Sequence, residues 1–283
     1  MSHTTITPRK APDLGLDGDI PRFWLGGDPF KTRYIDAMAL TFPDGERYFI
    51  QTVRAYRDQI TDPKLAADVK DFIYQEGQHG MVHTEYNERL ARQGMAIERI
   101  TNFIVQKLDG YRKRYSKAFN VGRTAGAEHL TALMAHGLFG TDLMKHADPR
   151  MRAMYAWHSV EEIEHKAVAF DVFEKVAKGG YWTRIFSFLH VSVLFPLHTL
   201  LIMRHMLKVD GKSTWGTWLK GLWWLYGWNG LWPRLMPHYL AYFKPGFHPW
   251  KHGDLKVFEV WSDAYKTSNG NAIVAADAVA ALV

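Results

Sequence analysis

Four glutamates of this chain stand where apolar side chains belong. Glu76 interrupts the series Leu65, Val69, Phe72, Glu76, His79, His83, Tyr86 and Leu90, whose 4,3,4,3 spacing predicts one inward-facing stripe on a helix. Glu162 does the same in Met151, Tyr155, His158, Glu162, His165, Ala169, Val172 and Val176, and Glu128 in Val121, Ala125, Glu128, Ala132, Ala135 and Leu138 or Phe139. Glu46 follows Pro43 and Asp44 in the opening turns of a further predicted helix. A carboxylate on the inward face of a helix is costly unless a partner neutralises it. The bland alternative, solvated glutamates near helix ends, fits poorly, because surface charges rarely take seam positions. The chain is therefore constrained to a fold in which four seams meet around something positive.

The boundaries of these helices are written in capping residues. One helix starts near Phe42. The next is capped by Thr61 or Asp62, has Pro63 in its first turn and stops at Gly94. A third runs from about Lys117 to His146, and a fourth opens at Asp148-Pro149 and ends at Gly179-Gly180. Short links within each pair and a long crossover between pairs predict an all-α protein: a four-helix bundle over residues 41–180. Residues 1–40, rich in Pro, Gly and Asp, read as an irregular N-terminal arm, and residues 181–283 as a further helical, Trp-rich region. No β alternation stands out, nor any repeat beyond the pairing of helices.

Two of the four glutamates carry a histidine three residues on, in Glu76-Gly-Gln-His79 and Glu162-Ile-Glu-His165, and the order along the chain is E, ExxH, E, ExxH. A single ExxH is a weak signal; the ordered set on four seams is a strong one. Residues i and i+3 share a helix face, so Glu and His can reach the same ion. Carboxylates can bridge two cations, and imidazole is a good neutral ligand. The chain has no cysteine, which excludes disulfides, iron–sulfur clusters and thiolate chemistry. Other polar residues on or beside these seams leave alternatives open. Glu161 is also placed to reach the site, although Glu162 matches the Glu76/His79 spacing. His158 is either a further ligand or a core histidine bonded to a neighbour. His83 is a support, a substrate contact or a packed histidine. His129, about 100° round the helix from Glu128, reads as structural.

The pattern resembles the ferritin-like di-iron carboxylate superfamily over roughly residues 40–178. With His158 giving H-x-x-x-E-x-x-H, it looks like the arylamine (p-aminobenzoate) N-oxygenase type, whose site has four carboxylates and three imidazoles. The ligands this resemblance implies are Glu46, Glu76, His79, Glu128, His158, Glu162 and His165. The segments PDGERYF, QEGQHGMVH and WHSVEEIEHKAVAFDVF also resemble a bacterial family catalogued as predicted metal-dependent hydrolases, over most of the chain. Ribonucleotide reductase small subunits keep a radical tyrosine near the place of His83, so the chain departs from them. The resemblance implies two iron ions, with manganese or zinc as alternatives. It implies an oxidoreductase that uses O2 and an electron donor protein to hydroxylate, desaturate or N-oxygenate a small organic or lipid-like substrate. A metal hydrolase using a metal-bound water is the alternative, and a ferritin-like iron-binding protein the third reading. A homodimer is compatible with all three.

The remaining sequence signal is compositional. Between Tyr181 and Gly253 lie eight Lys/Arg, one acid (Asp210) and eight of the eleven tryptophans, in a chain of net charge +6. Ile185–Met203 is a 19-residue uncharged run, close to the length that spans a bilayer, but two histidines and a proline weaken a spanning reading. Either a buried helical layer or a membrane-surface face is expected, the second because Trp, Tyr and cations favour lipid interfaces. No motif supports nucleic-acid binding. The N-terminus lacks an apolar signal core, so a cytoplasmic location is expected, with peripheral attachment to the inner face of the membrane as an extension.

Overall fold

A computed structural model describes residues 5–251 and 255–282; the first four residues of the predicted arm, and the end of the basic Trp-rich stretch at 252–253, lie outside them. Among the described residues the chain is helical, with no strand and one isolated bridge between Leu25 and Ala147. The expected all-α class holds.

The arm departs from expectation. Pro29–Ala39 forms a buried helix, α1: the Asp28 side chain accepts from the Phe30 and Lys31 amides, and Pro29 serves as a first-turn residue rather than a breaker. Its Arg33 is fully buried because carboxylates surround it, Asp36 at 2.7 Å and Asp210 at 2.6 Å. Trp24 and Tyr86 also donate to Asp36. The glutamate-bearing helices follow. Phe42–Arg54 is α2, and Pro63–Arg92 is α3, capped by Asp62. The predicted crossover is itself a helix, α4 (Ile97–Arg114). Lys117–Phe139 is α5; it stops short of His146, and Asp142–His146 forms a separate 3₁₀ turn. Pro149–His165 is α6, capped by Asp148. The expected fourth helix is broken after His165. It resumes as the short α7 (Val168–Asp171) and a π turn over Val172–Val176.

α2, α3, α5 and α6 pack on one another around one interior. The C-terminal helices wrap them. Tyr181–Val209 (α8) lies along α5 and α1; Trp215–Tyr226 (α9) lies on α1, and Leu231–Ala241 (α10) on α5. Lys256–Thr267 (α11) and Ala272–Ala280 (α12) cover α6. α5 and α8 approach closely because two glycines face α8: a Cβ on Gly122 would sit 2.7 Å from Ser187 Oγ, and one on Gly126 3.0 Å from the Phe188 ring. At Gly126 the space a side chain would take is filled by Phe188, a fully buried side chain worth about 2 kcal/mol of burial.

Candidate metal centre

Glu46 on α2, Glu76 and His79 on α3, Glu128 on α5, and His158, Glu162 and His165 on α6 all point into the shared interior, and all are buried. Their ligand-type atoms form overlapping groups within 4.8 Å of one another: Glu46, Glu76 and His79; Glu76, Glu128 and His165; His79, His158 and Glu162. His165 Nε2 lies 3.2 Å from Glu76, 3.4 Å from Glu128 and 3.6 Å from Glu162. His158 Nε2 lies 3.0 Å from Glu162 Oε1, and His79 Nδ1 3.7 Å from the same oxygen. Both carboxylate oxygens of Glu46, Glu76 and Glu128, with His79 Nδ1 and His165 Nε2, are buried without a hydrogen-bond partner of acceptable geometry. Native interiors rarely leave such atoms unpaired. Here the unpaired atoms all face one another.

The electrostatics follow from that crowding. Burial, and then the neighbouring carboxylates, push Glu46, Glu76 and Glu128 well above the ordinary carboxylate range. Glu162 goes the other way: burial opposes its charge, but His165 and His158 outweigh it and hold the carboxylate ionised. Burial also opposes a charge on His165, yet Glu128 and Glu162 raise it to about 9. Burial and the stacked His158 ring keep His79 neutral, as burial and His158 keep His83. Burial and crowding thus favour protons on Glu46, Glu76 and Glu128, while the histidines favour charge on Glu162. Divalent cations would neutralise these carboxylates without protons, and the oxygen and imidazole donors suit iron, manganese or zinc.

The outward nitrogens of the inner histidines are fixed. Neutral His79 donates Nε2–H to Glu161, 3.0 Å away, which leaves the Nδ1 lone pair inward. Glu161 also accepts from Trp157 at 3.0 Å; burial pushes it up to about 7 against the pull of Arg9. His165 donates Nδ1–H to Gln75 Oε1 at 2.9 Å, and the Gln75 amide is anchored on Glu164 at 2.8 Å. Glu164 is in turn held by Arg9, at 2.6 Å. Thus Glu161 faces away from the interior ring of ligands as a support for His79, and the arm residue Arg9 braces both sides. His83 bonds His158, Nε2 to Nδ1 at 2.8 Å, and orients it; it also shares a possible three-residue group with Glu46 and His158. His129 packs against Tyr242 and Phe247, away from the centre, in the structural place expected of it. Sequence reasoning missed Gln75, Arg9, Glu164 and Thr131, whose hydroxyl bonds Glu162. Only the position of Gln75 beside Glu76 hinted at any of them.

A cavity of about 100 Å³ adjoins the centre and is walled mainly by apolar side chains, among them Phe42, Phe49, Ile104, Leu130 and Phe195. Glu46, His158 and Glu162 form its inner end, and Lys107 and His198 lie on its rim between α4 and α8. Arg123 is the fixed cation on its wall, bonded to Tyr48 at 2.8 Å and to His190 at 3.1 Å.

An all-helical interior of buried carboxylates and imidazoles is a donor set that could hold metal. The chain belongs to the family described as predicted metal-dependent hydrolase, which it matches over residues 8–253. Comparison with curated proteins and with solved structures finds no match.

Proposed function

We propose that the interior holds two metal ions, iron by the best fit to its donors, and that the protein uses O2 to oxidise an apolar organic substrate seated in the adjoining cavity. The observation that carries this is the convergence of unpaired buried carboxylates on Glu76, with an apolar cavity ending on Glu46, His158 and Glu162. The proposed ligands are Glu46, Glu76, His79, Glu128, His158, Glu162 and His165. Bound iron would supply the redox reaction with O2, with electrons from a donor protein. The chain's own groups do the positioning. Glu161 and Gln75 hold the rings of His79 and His165, and His83 holds His158. Phe42 packs against His158 and keeps bulk water from that side.

The family's description favours the second reading, hydrolysis of an ester or amide. The same donors could hold zinc or manganese, whose chemistry is to activate water. Anaerobic loading with ferrous iron separates the two. The oxidative reading expects about two irons per chain and O2 uptake that depends on a reductant. Ester or amide cleavage by the zinc or manganese form, with no O2 uptake by the ferrous form, would establish the hydrolase instead.

The supporting contacts give a separate expectation. Glu161→Gln and Gln75→Leu should each weaken metal binding by about 10–100-fold, read by chelator competition, while helix content stays the same. Unchanged affinity in both variants would remove these residues from the site's design.

A further inference from the structure

α8 is the one helix, among the described residues, long and apolar enough to cross a membrane. Its packing argues against crossing. Ile185, Phe188, Val191, Ile202, Met203 and Met206 are buried against the rest of the protein, so one side of the helix is committed along its length. The other side is open. Trp182, Phe186, Leu189, Val193, Leu197 and Leu201 are all exposed at steps of three or four residues, a single stripe. By the helical rise it runs roughly 28 Å. The next exposed positions on that side are Arg204 and Lys208.

α9 carries a second exposed apolar face, with Trp228 just beyond its end. Trp215, Trp223 and Trp228 are 83%, 71% and 89% exposed, beside Leu219 and the exposed Lys212 and Lys220. Trp218 and Trp224 behave differently, half-buried against Phe30. The buried-layer and open-face expectations are thus each met by different tryptophans. A stripe of large apolar side chains with protruding indoles exceeds what a monomer normally leaves in water. Tryptophan at the tip of an apolar face is the side chain suited to the headgroup boundary of a bilayer.

We infer that the open face of α8 and α9 docks on an anionic lipid bilayer, lying on the surface without spanning it. Charge chooses the occupant. Asp210 is the sole acid between Tyr181 and Gly253, and it is already held by Arg22 and Arg33. The exposed charges within that stretch, Arg204, Lys208, Lys212 and Lys220 among them, are cationic, which matches an anionic leaflet. A second copy of the chain is the competing occupant, but a two-fold interface would set this face against itself and bring like charges together. The cavity adds continuity: Leu194, Phe195 and His198 on its wall belong to the same turns of α8 as the exposed Val193 and Leu197. An apolar molecule dissolved in the bilayer would meet the cavity rim at the docked face. The docking itself does not depend on the metal reading.

The test is co-sedimentation of the full chain, without added metal, with phosphatidylglycerol/phosphatidylcholine vesicles and with phosphatidylcholine vesicles, at low and high salt. Binding to the anionic vesicles is expected, weakened several-fold by high salt as Debye screening shortens, with a blue shift of tryptophan emission. The triple variant W215A/W223A/W228A should lose at least about tenfold in partitioning, because each indole carries much of the apolar contact. These side chains are exposed, so circular dichroism should be unchanged. K212E/K220E should weaken anionic-vesicle binding and leave the neutral-vesicle result unaltered. Failure to bind anionic vesicles at any salt would overturn the inference. So would a concentration-dependent dimer that shields these tryptophans, or binding to DNA without binding to vesicles.

Discussion

Glu76→Ala is expected to strip the interior of both ions of the proposed centre, whereas Glu128→Ala is expected to leave one. The difference follows from how the donors overlap. Glu76 belongs both to the group with Glu46 and His79 and to the group with Glu128 and His165, while Glu128 belongs only to the latter. The Glu76 carboxylate also stands 3.2 Å from His165 Nε2. A carboxylate offers two oxygens, so Glu76 could lend a ligand to each of two ions, and its loss would remove one from each. Metal analysis after anaerobic loading should fall from about two ions per chain to near zero for Glu76→Ala, and to about half for Glu128→Ala. Activity should fall with it. A structural role predicts something else: metal content preserved, and a lower thermal midpoint for the metal-free variant. With Glu76 as a ligand, the metal-free midpoint should instead hold or rise, because the substitution removes a buried carboxyl that has no hydrogen-bond partner. If Glu76→Ala retained two ions, the overlapping-group description would be wrong.

The donors could be read from the sequence because each obeys a local rule. Helical spacing placed Glu76, His79 and His83 on one face, and Asp62 and Asp148 marked helix starts that the structure keeps. What could not be read depends on distant pairs. Arg33 and Asp36 have the look of a solvated face, and nothing nearby reveals that Asp210, far along the chain, makes α1 a buried helix. Arg9 sits in a segment with no periodicity, yet it braces Glu161 and Glu164 on α6. The break after His165 is equally silent, since the apolar seam continues through Ala169 and Val172 while the backbone passes into a π turn. Such turns often accompany functional sites, and this one begins seven residues after the candidate ligand His165, beyond the short α7. The surplus of tryptophan was visible as composition, but its division between packed Trp218 and Trp224 and exposed Trp215, Trp223 and Trp228 depends on which side of α9 meets Phe30.

The metal-free protein should lose stability as pH rises from 7 to 8, and metal should abolish that loss. The sign can be worked from the groups that differ between folded and unfolded chains. Glu46, Glu76 and Glu128 are raised well above the unfolded carboxylate value, so the folded metal-free protein keeps protons that the unfolded chain has already released. His165, raised to about 9, keeps its proton across the same window, while an unfolded histidine has largely lost it. Both kinds of group make stability fall with rising pH. Each proton held only by the folded state contributes a slope of about 1.4 kcal/mol per pH unit. The opposing groups act mostly elsewhere. His79 and His83 are lowered, as are His190, His198 and His205, so their opposing effect tapers off above the unfolded histidine value and is smallest at the top of the window. Lys166, lowered to about 8 by burial, begins to oppose only near the top of the window. Cations replace the retained protons, so the loaded protein should be flat or rising over the same range, since binding strengthens as ligands deprotonate. Denaturant titrations of chelator-treated and loaded protein at pH 7 and 8 measure the two slopes. A metal-free protein as stable at pH 8 as at pH 7 would mean that Glu46, Glu76, Glu128 and His165 do not hold their protons into that range as burial and crowding require.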